Sequence, residues 1–147
     1  MPDVNLVVAD SGDTFLIGTI KVRILEDGSH TDNRLGAAEF IIPPRIAPVP
    51  PHVHRMHDET FLVTKGTIRF VTGGRQIDAR EGDYVVVPVG APHAFSNPFD
   101  QEAVFFNTFT PAYYVNYFRD LAAVASPGDI NPAQILGIMA KYATEPA

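Results

Sequence analysis

The chain has 147 residues, 11 Lys plus Arg against 17 Asp plus Glu, a formal net charge of −6 and no cysteine. That length builds one domain with a real core and is short for two. The acidic balance argues against nucleic acid or a membrane surface as partner, and the missing thiols exclude disulfides, thiolate zinc sites, iron–sulfur clusters and cysteine nucleophiles.

The N-terminal stretch MPDVNLVVADSG has an early Asp and no basic segment before its apolar residues, so it does not read as a signal peptide, and a cytoplasmic location is expected. From Thr14 to Thr110 the chain is a succession of short β-branched and aromatic runs separated by Gly, Pro and Asp. Strands are expected over Thr14–Leu25, Ala37–Ile42, His52–His54, Glu59–Thr64, Thr67–Thr72, Arg75–Ala79, Tyr84–Val87, His93–Ser96 and Ala103–Thr110. Short strands at this spacing, with no amphipathic helices between them, make an antiparallel sandwich or barrel. Glu26–Asn33 reads as a polar loop carrying His30, and Pro43–Pro51 as a stiff, extended lead-in to the next histidines. Thr72-Gly73-Gly74-Arg75 reads as a tight hairpin turn. The longest apolar run, Tyr84–Val89, is broken by Pro88 and falls far short of the roughly 20 residues a spanning helix needs.

After Thr110 the period changes. Thr110-Pro111 and Asn131-Pro132 each place an N-cap residue before a proline suited to the first helical position. Tyr114, Tyr117, Phe118, Leu121 and Val124 fall at helical spacing, as do Ile135, Ile138, Met139 and Tyr142, with a break at Ser126–Asp129. Residues 1–110 are therefore expected to form a β domain and residues 111–147 a helical extension. Two short helices are not stable alone, so their apolar stripes must pack on the β domain or on a second subunit.

Four of the five histidines lie between positions 52 and 93. On a strand His52 and His54 share a face, which lets two imidazoles meet at one point. Glu59 is an odd five residues beyond His54, so Arg55–Asp58 must bend to return it to that face. Pro88-Val89-Gly90 is turn chemistry that would swing His93 inward. Three imidazoles and one carboxylate suit one divalent transition metal, whether Fe, Mn, Ni, Cu, Co or Zn. The parity that turns Glu59 inward also turns Phe61 inward, and Phe95 goes with His93. Phe70 and Phe105 are further pocket candidates on strands apolar on both faces. His57 shares the parity of Glu59 and is a further pocket candidate. It can act as a substitute ligand or a proton shuttle, although exposure in the bend is the plainer expectation. Arg55, Lys65, Arg69 and Arg75 sit at turns or opposite the apolar parity, so no phosphate clamp is expected.

HVHRMHDETFLVTKG resembles the first cupin motif, and GDYVVVPVGAPHAFSN resembles the second at Gly82, Pro88, Gly90, His93 and Asn97. One departure is Ile46, where the first motif usually opens with glycine six residues before its first histidine. The resemblance implies an all-β double-stranded β-helix, a jelly-roll barrel with a short C-terminal helical extension, and one metal held by His52, His54, Glu59 and His93. The single barrel, the ligand set and the tail TPAYYVNYFRDLAAV are most similar to the quercetin dioxygenase-like group. That likeness implies an oxygenase that binds a small enol, phenol or aromatic substrate on the metal and adds O2, with Glu59 as catalytic base. The aromatic face of the helical tail points separately to packing across a subunit boundary in a homodimer. A metal-dependent isomerase or cyclase acting on a polyketide-like substrate and a non-catalytic small-molecule-binding module are the alternatives.

Overall fold

The computed structural model describes residues 2–124 and 131–147 and turns each β-branched run into one or two strands. β1 (Asp13–Ile17) and β2 (Ile20–Glu26) form a hairpin, so the one strand expected over Thr14–Leu25 is two. Gly18, at a φ of +60°, and Thr19 make the two-residue turn between the paired Ile17 and Ile20. That backbone is open to glycine and strained for residues with a Cβ.

β3 (Gly36–Ile42), β5 (Asp58–Lys65), β8 (Tyr84–Val87) and β10 (Ala103–Thr110) join this hairpin in a six-stranded antiparallel sheet of order β1-β2-β3-β10-β5-β8. Opposite it, β6 (Thr67–Thr72) pairs with β7 (Arg75–Arg80), through the expected Gly73-Gly74 turn, and with β9 (Ala94–Ser96). β4 (His52–His54) pairs with β11 (Thr144–Pro146) at the far end of the chain. Bridges from Ile46 to Asn97 and from His52 to His93 tie the two pieces together, so the second wall runs β7-β6-β9-β4-β11. The architecture is the double-sheet barrel expected from the strand pattern.

The core follows from strand alternation. On β10, Ala103, Phe105, Asn107 and Phe109 point inward and are buried, while Val104, Phe106 and Thr108 are half-buried on the outer face. Phe61 meets Phe70 and Phe105 at ring distances of 5.1 and 5.2 Å, both edge-on, and Phe40 stacks on Phe105 at 5.0 Å. Each fully buried ring contributes about 2–3 kcal/mol of transfer free energy.

Asn97 is fully buried and serves as a structural clamp. Its Nδ2 donates to the carbonyls of Ile42, Pro43 and Gln101 at 3.3, 3.0 and 2.8 Å, and its Oδ1 accepts from Phe99 N at 3.2 Å. The missing motif glycine is accommodated next door. Arg45 takes the left-handed conformation, at a φ of +62°, and Ile46 is left free to pair with Asn97.

The helical tail begins differently from expectation. Thr110 closes β10 opposite Asp58 and is not available as an N-cap. The chain instead enters a 3₁₀ turn at Ala112–Tyr114, which has no side-chain cap, and then α1 (Val115–Val124). α2 (Pro132–Lys141) starts as expected, with Asn131 Oδ1 accepting from Ala133 N at 2.9 Å and Pro132 in the first turn. The break at Ser126–Asp129 lies outside the described residues. The tail's aromatic face covers its own barrel, where Phe118 lies 5.0 Å from Phe40 and 5.6 Å from Phe109. No described helix is long and apolar enough to cross a membrane.

Replacing Asn97 by Ala removes the donor to the carbonyls of Ile42, Pro43 and Gln101, which are buried or partly buried. Asn97→Ala should therefore lower the unfolding free energy by about 2–4 kcal/mol in urea titrations.

Candidate metal centre

His52 and His93 are directly opposite residues that exchange both backbone hydrogen bonds, N to O at 3.0 Å in each direction. Their side chains therefore leave one face of the wall together, with ring centroids 4.3 Å apart. His54 follows by strand alternation, its ring 4.9 Å from each of the other two. The Pro88–Gly90 turn is present, with Ala91 N donating to Pro88 O at 3.1 Å, and Gly90 N binds His54 O at 2.9 Å. A bend at Arg55 and Met56 returns Glu59 to the same face. Glu59 Oε2 lies 2.7 Å from His54 Nε2 and 3.1 Å from His93 Nε2, with all three residues buried.

The outer nitrogens settle how these rings are protonated. His52 Nδ1 donates to Pro50 O at 2.8 Å and His93 Nδ1 donates to Ala91 O at 3.1 Å. His54 Nδ1 lies 2.9 Å from Thr144 Oγ1, and that hydroxyl gives its own proton to Tyr142 O at 3.2 Å, so it accepts from the imidazole. All three Nδ1 atoms carry the proton, and all three Nε2 lone pairs are left for the centre. His54 Nε2 is buried without a hydrogen-bond partner although a carboxylate oxygen faces it at 2.7 Å. Two acceptors held that close repel unless a cation binds both. The donor set of three imidazoles and one carboxylate, and this unpartnered nitrogen, fit a divalent transition metal.

Burial pushes the Glu59 pKa up, but the His54 and His93 imidazoles set against its carboxylate outweigh this and hold the carboxyl well below the usual range. Burial, followed by the neighbouring charge of His93, lowers His52 to about 4, and burial lowers His57 to about 4.

An apolar cavity of about 270 Å³ lies against the centre. His52, Glu59, His93 and Asn107 contribute its polar lining, Phe61 and Phe95 lie on its barrel side, and α1 and α2 cover it with Tyr117, Phe118, Leu121, Ile135 and Met139. Among the described residues, no Lys or Arg lines it. Two of the expected pocket phenylalanines are elsewhere, since Phe70 and Phe105 pack behind Phe61 in the core. His57 is neither exposed nor on this cavity. It is buried behind His54, with its ring between those of His54 and Tyr114, because the bend exposes Arg55 and Met56 and turns the next residue inward. Three residues of the site escaped the sequence pattern. Asn107 shares the inward parity of Phe105 and Phe109, a signal that was available, whereas Tyr114 and Thr144 arrive from the tail and carry no motif.

Residues 38–109 match the cupin domain family Cupin_2. A curated relative, an uncharacterized protein of Aquifex aeolicus (strain VF5), is 36% identical over 63 residues, which make up 43% of this chain and 51% of that protein. The match thus spans about half the length of that relative. Among solved structures, KdgF from Halomonas sp. superposes with a TM-score of 0.64 at 21% identity, covering 74% of this chain and 94% of that one. A sugar phosphate isomerase of the cupin superfamily from Silicibacter pomeroyi gives 0.63 at 22% identity, covering 72% and 75%. These likenesses are of fold.

Two outcomes follow from the site. Thr144→Val removes the acceptor that fixes His54 and should weaken metal binding about 10–100-fold in chelator competition, with Thr144→Ser close to wild type. Metal-free protein should lose stability as the pH falls from 6.5 towards 4. In that window unfolded imidazoles take up protons that buried His52 and His57 refuse, so the unfolded state binds more protons. Urea midpoints at a series of pH values check this.

Proposed function

We propose, on the premise that this chain carries a cupin domain over residues 38–109, that it is a metal-dependent enzyme for a small, largely apolar substrate bearing an enol or phenol oxygen, and that it acts as an oxygenase. The observation that carries the proposal is the pairing of an ionised carboxylate and three imidazole lone pairs with an apolar cavity that no cationic side chain lines. Among the described residues the cavity offers a phosphorylated substrate no Lys or Arg, whereas an aromatic or alkyl body is matched by Phe61, Phe95, Phe118 and Leu121.

His52, His54, His93 and Glu59 are the residues that would hold the metal. A divalent ion there supplies Lewis acidity, which lowers the pKa of a hydroxyl brought against it, and a redox-active ion adds reactivity towards O2. Glu59 lines the cavity and keeps an unprotonated carboxylate at neutral pH, so it is placed to take that hydroxyl's proton. Asn107, whose Nδ2 is fixed on Thr60 O at 2.9 Å, gives the cavity a second, neutral polar contact. The two tail helices and the phenylalanines give this proton transfer an apolar surround.

The test is an O2-uptake screen of Fe-, Mn- and Ni-loaded protein with flavonols and β-diketones. Saturable substrate-dependent O2 consumption is the expected result. Product without O2 uptake would identify an isomerase or cyclase, and binding without turnover a non-catalytic module; either overturns the oxygenase assignment. Glu59→Gln should lower kcat about 10²–10⁴-fold while the three imidazoles retain the metal, as read by steady-state kinetics beside elemental analysis.

A further inference from the structure

His57 has no part in the chemistry above, yet it is placed as if it did. The residue is 4% exposed, and its Nε2 is buried with no hydrogen-bond partner. Its ring is held between the rings of His54 at 4.2 Å and Tyr114 at 4.4 Å, with Phe109 at 6.1 Å. In this aromatic slot an imidazole with an unpaired nitrogen is a net cost unless something binds that nitrogen. The ligand atoms of His54, His57 and Glu59 lie within 4.8 Å of one another, just as those of His52, His54 and His93 do.

We propose that His54, His57 and Glu59 form a second position for a divalent transition metal, adjoining the first and set away from the substrate cavity. The proposal rests on the centre being a metal site. His54 and Glu59 are common to both ligand sets, so one ion occupies one position or the other. The two positions differ in access. His52 and His93 line the cavity, so an ion they hold can be reached by substrate. His57 does not line that cavity but a separate one beside Met56, Tyr113 and Tyr142, so an ion held there is shifted away from the substrate side. The centre thereby offers its ion two alternative positions.

The probe is Co(II) alone, followed by visible absorption and by chelator competition. In His52→Ala/His93→Ala the only imidazoles left near Glu59 are His54 and His57. This variant should still bind one Co(II) per chain, and adding His57→Phe, which keeps a ring in the slot, should weaken binding at least about tenfold and change the absorption bands. Equal affinity and equal spectra with and without His57 overturn the proposal. Circular dichroism reports whether each variant is folded. Should the double variant unfold, His93→Ala compared with His93→Ala/His57→Phe gives the same tenfold expectation and the same refutation. Wild-type protein that takes up no Co(II) refutes the metal centre itself, and the second position with it. Wild type that loads normally, with variants indifferent to His57, refutes the second position alone.

Discussion

The backbone pair between His52 and His93 is the constraint on which the rest of the site depends. Two residues 41 positions apart become neighbours because each donates to and accepts from the other's main chain. A directly opposed pair sends both side chains out of the same face at close range. The pairing needs β9 to lie beside β4, and that in turn needs Asn97 to hold the chain at one end and the Pro88–Gly90 turn at the other. Three lone pairs and a carboxylate are then fixed together in a buried space, which is the arrangement least tolerable without a cation.

The C-terminal extension completes this barrel in two ways. Its helices cover the cavity with aromatic and aliphatic side chains, which makes the space over the centre apolar. Its last strand returns to β4, and Thr144, paired opposite His54, fixes the tautomer of that ligand through a hydroxyl that donates to Tyr142 O. The exposed ion pair of Arg55 with Glu145 lies beside this contact and adds little stability by itself. A segment at one end of the chain thus sets the ligand geometry of a residue 90 positions earlier. The chemistry of the centre and the docking of the tail are one structural problem.

Much of this was legible from residue patterns. The period-2 runs, the Gly73-Gly74 turn, the Asn131-Pro132 helix start and the inward parity of Glu59, Phe61 and Phe95 depend on local backbone preferences that each segment expresses by itself. Where the pattern misled, the reason was a contact with a distant segment. Thr110 is committed to Asp58 across the sheet and could not cap a helix. Phe70 and Phe105 carried no decisive parity, and only the opposing sheet placed them behind Phe61. His57 looked like a residue of an exposed bend, but the tail's Tyr114 covers it.

The sequence by itself determined the strand alternation, the candidate ligands His52, His54, Glu59 and His93, and the exclusion of any thiolate centre, because these follow from residue type, strand parity, local turns and the resemblance to the cupin motifs. Only the tertiary structure decided that Thr144 orients His54, that Tyr114 and the tail helices enclose the site, and that His57 stands beside it with a free nitrogen. Those outcomes depend on which surfaces pack together across many tens of residues, and no local preference encodes that packing.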